Sequence, residues 1–338
     1  MAEIESKRVD TKRVDTMRGF LGRGARPWTG GGKLALILFM SYLLHGCATP
    51  LNLRFPTLGG KQMWADERVD AGWRIQRHAW TGHHRLLDDG DVRRAWGRYE
   101  WCEKRLDRAI ARGEAKRADS DHLVVILPGI LRSKDAMSLV AEDLERAGYA
   151  VAPVNYPSAV VDFDEHAEQV LRIIEKLRGV RRVSFVTHSM GGLVVRDLCG
   201  RLAEDGVRFE GADGPIEVER VCMLFPPNQG AHLADRFQDQ WWFQQIWGPS
   251  GARLTSKAVQ ALPIPQVPFA IFAGGRGDDE GLNPLIPGDD DGVVAVSEAK
   301  LPGARLFRVF DVGHTFGMND PDLRSAVLQF LAGDGESE

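Results

Sequence analysis

A chain of 338 residues, 43% hydrophobic and 27% charged, can bury one large core, and this composition excludes collagen-like, disordered and many-span membrane classes. A formal net charge of -4 argues against an electrostatic nucleic-acid binder, which carries a basic surplus on one face, so small or apolar substrates fit better. Cys47, Cys102, Cys199 and Cys222 form no CxxC pair and no Cys/His spacing of a zinc site, so no metal and no other cofactor is expected.

In chain order, Lys7 to Thr16 is an exact tandem pentapeptide, polar and without apolar periodicity, and is expected to be unstructured. A basic region follows (Arg18, Arg23, Arg26, Lys33), then an apolar run from Leu34 to Leu44 that is too short for a comfortable membrane span, then "HGC". This layout resembles a bacterial lipoprotein signal, in which a small residue precedes a cysteine that becomes the lipid-bearing N-terminus. Gly46 and Cys47 match that pattern and His45 does not. A plain signal anchor and a buried apolar helix are the other readings. The resemblance implies a lipid anchor at Cys47 in the bacterial cell envelope, with Ala48 suiting onward transport to the outer membrane. Because a signal's basic region begins near the start of a chain, Met17 is the expected initiator.

Residues 48–120 are rich in Trp and Arg, with helical spacing that puts Trp101, Leu106 and Ile110 on one face, and are expected to form a helical appendage. Its Trp and Arg side chains suit stacked pairs better than a binding site. After Asp121 the pattern changes. Residues 122–127, 150–156, 182–187, 218–224, 269–274 and 305–311 read as strands, several apolar throughout, as strands covered on both faces are. Residues 134–148, 164–179, 190–204 and 320–333 read as helices. This alternation predicts an α/β domain over 121–333 with a mostly parallel sheet and helices on both faces.

Ser189 lies between the strand "RVSFVT" and the helix "MGGLVVRDL". A serine on so tight a turn presents its hydroxyl above the sheet's carboxyl edge, and small residues are needed two before and two after it. Gly191 meets the second requirement; Thr187 stands where glycine is usual. An exposed or helix-capping serine is the alternative. A nucleophilic serine requires a carboxylate and then a histidine on loops after later strands. His314 follows the last predicted strand on a glycine-flanked loop, where a general base must be. For the acid, Asp291 is preferred, because it stands where the acidic loop returns to an extended segment. Asp290 and Asp289 remain open, and Asp278 and Asp279 lie further back. Met190, directly after the serine, is expected to give one oxyanion amide.

The runs "LPGILRS", "GYAVAPVNYPS", "THSMGGLVVRD" and "DDDGVVAVSEAKLPGA…GHTFG" resemble the bacterial lipase and esterase branch of the α/β-hydrolase superfamily over about residues 120–333. The resemblance implies an α/β-hydrolase fold and cofactor-independent hydrolysis of ester or lipid substrates. It also implies a second oxyanion amide at Ile130, with Pro128 replacing the usual histidine, and a helical cap over about 227–266. In that cap "FQDQWWFQQIW" suits either an apolar wall over an acyl pocket or a helix packed into the core, and Asn228 and Gln229 replace a basic pair. A serine acyltransferase on the same scaffold and a non-catalytic envelope lipoprotein are the competing readings.

Overall fold

The computed structural model describes residues 55–333 apart from 58, 60, 118–119 and 203–207. The pentapeptide repeat, the apolar run and Cys47 lie outside the described residues. Among the described residues no helix is long and apolar enough to cross a membrane.

The first part of the described chain is a sheet. Strands β1 (Phe55–Pro56), β2 (Trp64–Asp70), β3 (Trp73–His78), β4 (His84–Leu87) and β5 (Val92–Gly97) pair antiparallel in the order β1-β5-β4-β3-β2, and only then does helix α1 (Tyr99–Ala111) begin. The expectation of a helical appendage is therefore corrected. So is its apolar face: Cys102, Leu106 and Ala109 are the buried positions of α1, whereas Trp101 is 45% exposed. The misreading has a physical cause. Trp73, Ile75, Leu86 and Ala95 pack against α1, but the sheet also buries the polar Asp66, Arg74, Gln76 and Arg85, which read in the sequence as solvent-facing. These polar groups satisfy one another: Arg74 and Gln76 donate to the Asp66 carboxylate, and Arg85 donates to the Gln76 carbonyl oxygen. Stacked pairs also form as expected, with the Arg85 guanidinium 3.9 Å from the Trp64 ring centroid and that of Arg93 5.0 Å from Trp96.

The larger sheet follows. Strands β6 (His122–Leu127), β7 (Ala150–Pro153), β8 (Arg182–His188), β9 (Arg208–Gly211), β10 (Gly214–Leu224), β11 (Phe269–Gly275) and β12 (Leu306–Asp311) take the order β12-β11-β10-β8-β6-β7, all parallel, with β9 antiparallel on β10. Every residue of β6 and β11 is buried, as the continuous apolar runs predict. Alternate residues face opposite layers. Leu123, Val125 and Leu127 meet helices α3 (Phe163–Ile174) and α4 (Met190–Cys199), while Val124 and Ile126 meet α2 (Ser138–Arg146) and α8 (Pro321–Ala332). At roughly 25 cal/mol per Å² of apolar surface, these two layers are the main stabilising term. The chain moves from β6 to β7 on one side and returns to β8 on the other. Such a reversal opens a crevice at the carboxyl ends of neighbouring strands.

The antiparallel sheet is bonded to this crevice edge. Asn155, just past β7, accepts from the Asp66 amide at its carbonyl and donates its own amide to the Asp66 carboxylate, and Gln169 of α3 donates to the backbone carbonyls of both. Ala48–Glu338 accordingly forms one compact unit.

Candidate active site

Ser189 ends β8 and begins α4 with φ 54° and ψ -124°, a backbone that β-branched residues avoid and that points its side chain out of the turn. Gly191 makes this turn possible: a Cβ there would lie 2.5 Å from the Leu127 carbonyl oxygen. Thr187 fits because it belongs to the strand rather than to the turn; it is fully buried and its hydroxyl donates to the Cys222 carbonyl at 3.5 Å.

Loops after β11 and β12 bring the other expected residues together. The Ser189 Oγ is 2.9 Å from Nε2 of His314, whose Nδ1 is 2.7 Å from Oδ2 of Asp291. All three are buried. The other oxygen of Asp291 accepts from the amides of Val293 and Val294 at 3.0 and 2.8 Å, and the His314 amide donates to the Asp291 carbonyl. The remaining aspartates build the loop. Asp290 accepts from the Asn283 and Gly292 amides, Asp289 from Arg276 and Gly277, and Asp278 from Glu280 and Gly281. Asp279 makes no hydrogen bond to the other three residues.

The loop after β6 lies over the serine. Met190 is the first residue of α4, so its amide has no intrahelical acceptor. The Ile130 amide likewise has no acceptor among the described residues, whereas the next amide, Leu131, donates to Ser158 Oγ at 2.9 Å. Leu131 holds φ 59°, a left-handed conformation that costs a non-glycine residue roughly 1–2 kcal/mol and must be held by its surroundings. What holds it was not visible from Pro128 alone. Tyr156 Oη donates to the Pro128 carbonyl, Gln62 Nε2 donates to the Arg132 carbonyl, and Lys134 donates its amide to Asn155 Oδ1. Ser158 in turn donates to Gln62 Oε1. The segment "VNYPS" after β7 and a residue before β2 are thus the support that sequence reading missed; the only signal was "NYPS" within the resemblance. Ser158→Ala would remove the side-chain acceptor of the Leu131 amide, at a cost of about 1 kcal/mol for this partly buried bond. It is expected to lower kcat on ester substrates about tenfold with KM nearly unchanged, which steady-state kinetics would show.

A second histidine was also missed. His188, next to the serine, donates Nε2–H to the His314 carbonyl, which can only accept, so its Nδ1 is an unprotonated nitrogen; that atom is buried without a partner. Burial and the neighbouring His314 depress its pKa to about 3. Burial likewise brings His166 to about 4, where the ring bonds Ser250 of the cap. Both rings are neutral in the folded state and take protons more readily when unfolded. Their contribution is complete above pH 6.5 and is lost as pH falls from there toward 4 and 3. Melting curves are therefore expected to show Tm falling across that window, with His166→Gln flattening the fall; a Tm constant from pH 7 to 4 would contradict it.

Between β10 and β11 the chain forms α5 (His232–Phe237), α6 (Trp241–Gly251) and α7 (Ser256–Val259), within the expected cap. Arg196 of α4 fastens both of its ends without any carboxylate: Nη1 donates to the Asn228 carbonyl, and Nε and Nη2 donate to the carbonyls of Pro263 and Leu262. Asn228 also donates to the Ala299 carbonyl, so its side chain is structural, and Gln229 bonds Lys300. Gly248 breaks α6 at φ 62°, where a Cβ would lie 2.0 Å from the Ala159 carbonyl oxygen. The aromatic segment is divided between the core, the wall of a cavity and the surface. Phe243 is buried and, with Trp247, Leu233 and Leu254, walls a cavity of about 330 Å³ that opens on Ser189, His314 and Ile130, while Trp241 is 75% exposed.

A family model described as "Putative serine esterase (DUF676)" matches residues 117–247. No curated protein matches the sequence. The lipase BlEst2 of Bacillus licheniformis is similar in its mature form, with 23% identity over 62% of this chain and 90% of that one and a TM-score of 0.46. Its propeptide form has 21% identity over 64% of this chain and a TM-score of 0.50, and the match spans about half, 51%, of that chain. The phospholipase PlaB of Legionella pneumophila has 17% identity over 64% of this chain and 57% of its own, with a TM-score of 0.42. At such identities the likeness concerns the fold, which is the α/β-hydrolase fold.

Proposed function

We propose that the protein hydrolyses carboxylic esters through a covalent acyl-enzyme. The observation that carries this reading is the unbroken chain from Ser189 Oγ through His314 to Asp291, at 2.9 and 2.7 Å, at the mouth of an apolar cavity. Asp291 accepts a hydrogen bond from Nδ1–H of His314 and so keeps Nε2 unprotonated, free to take the hydroxyl proton as Oγ bonds to the ester carbon. The Ile130 and Met190 amides donate to the oxyanion. The C–O bond to the alcohol then breaks, and Nε2 returns the proton to the departing oxygen. A water molecule gives a proton to Nε2 as it attacks the acyl carbon, the bond from that carbon to Oγ then breaks, and Nε2 returns the proton to Oγ as the acid leaves. The acyl chain lies against Phe243, Trp247 and Leu254, so the favoured substrates carry apolar acyl groups. A fluorophosphonate should form an adduct on the peptide that contains Ser189, found by mass spectrometry. Failure to label the folded protein would favour a binding protein that keeps only the fold.

We also propose that Cys47 bears lipid and holds the enzyme at the bacterial envelope; the support is the sequence pattern alone. Stable anchoring takes more than one acyl chain, at about 0.8 kcal/mol per buried methylene. Cys47→Ser is expected to leave an unprocessed precursor and to abolish palmitate labelling. Processing and release of Cys47→Ser at the wild-type rate would mean an ordinary cleaved signal.

A further inference from the structure

A second cavity, of about 310 Å³, lies between α1 and the antiparallel sheet, far in sequence from Ser189, and its walls carry four arginines and two tryptophans. Trp101, Arg105 and Arg108 follow one another at spacings of four and three along α1, and Arg112 at its C-cap continues the same stripe. Arg94 reaches the same space from β5, its guanidinium 5.4 Å from the centroid of the buried Trp73 ring.

Acid is scarce in this cavity. Arg94 pairs with Asp88 at 2.5 Å, Arg112 comes only within 3.8 Å of Glu114, and Arg105 and Arg108 have no carboxylate partner among the described residues. The helix does not lack acids, but it turns them elsewhere: Glu103 and Asp107 both pair with Arg68. A favourable helix C-terminus would explain Arg108 and Arg112. It does not explain Arg105, nor why Arg94 converges from another element. In a chain of net charge -4, this concentration of guanidinium groups around one concavity is not a general surplus of base.

We propose that this cavity binds a phosphate-bearing ligand. A carboxylate offers two oxygens and one charge, whereas the three or four oxygens and up to two charges of a phosphate match several guanidinium groups at once. Converging like charges also repel one another until a multiply charged anion enters. Trp101, at 45% exposure, offers a surface for the part of the ligand next to the phosphate. A phospholipid headgroup and a soluble phosphomonoester share this chemistry, and the site is independent of the ester-hydrolysis reading.

The test uses the full chain. Sedimentation with vesicles of phosphatidylcholine, alone or doped with either phosphatidic acid or oleic acid, is compared with calorimetric titration by glycerol 3-phosphate. Any attachment through the N-terminal apolar run is common to all vesicles and cancels. Phosphate-dependent binding is expected in at least one arm. Binding to phosphatidic acid vesicles alone assigns a lipid headgroup, and binding of glycerol 3-phosphate assigns a soluble source. The double variant Arg105→Gln/Arg108→Gln, with its fold checked by circular dichroism, should bind at least about tenfold more weakly. Equal binding to oleic acid vesicles, which needs no variant to observe, would overturn the proposal. So would binding in neither arm, or undiminished affinity in the folded double variant.

Discussion

Ser189→Ala is expected to lower kcat for p-nitrophenyl esters by about four to six orders of magnitude while leaving Tm nearly unchanged, because the nucleophile is lost and no cavity is opened. The side chain stands at a strained turn whose φ of 54° is fixed by the strand, the helix and the close approach of Gly191 to Leu127, none of which alanine alters. His314 Nε2, 2.9 Å from Oγ in the wild type, faces the cavity and can bond water in the variant. His314→Ala should be comparably severe, since base and nucleophile act as a unit. An acyl-chain series measured with both wild type and variant separates the chemistry from the cavity. A variant that kept more than about a hundredth of the wild-type rate would sink the assignment of Ser189.

The α/β half of this chain was legible because its central strands are buried on both faces and therefore read as continuous apolar runs: β6, β8 and β11 fall almost where their sequence places them. Ser189 was legible because it follows such a run on a tight turn, whereas His314 follows the half-exposed edge strand β12 and was legible from its glycine-flanked loop and its place after Ser189 and Asp291 in the chain. The antiparallel half was not legible, because its strands are short and one of their two buried faces carries Asp66, Arg74, Gln76 and Arg85, bonded to one another, so the alternation at Trp73 and Ile75 is embedded in a strongly polar stretch. The hairpin signal was present all the same. Ala71 and Gly72, at φ 55° and 76°, link β2 to β3 as a two-residue turn. The support of the oxyanion loop was hidden for a different reason. Gln62 and Ser158 are 96 residues apart, and polar side chains joined at such separations carry no local pattern.

Asp291→Asn is expected to lower kcat by about four orders of magnitude, far more than Asp290→Asn or Asp289→Asn, and the hydrogen bonds give the reason. Oδ1 of Asp291 accepts from two amides, those of Val293 and Val294, so an asparagine must keep its carbonyl oxygen there and turn its NH2 toward His314. A donor facing Nδ1, which was 2.7 Å from a carboxylate oxygen, forces the histidine proton onto Nε2. Nε2 is then a donor and cannot take the proton of Ser189. The geometry stays in place while the base is lost, so Tm should fall much less than activity does. Asp290 and Asp289 accept only from backbone amides of the acidic loop, and their amide variants are expected to lower Tm with less than about a tenfold loss of kcat. Equal and small losses of kcat in all three variants would place the acid elsewhere and remove Asp291 from the mechanism.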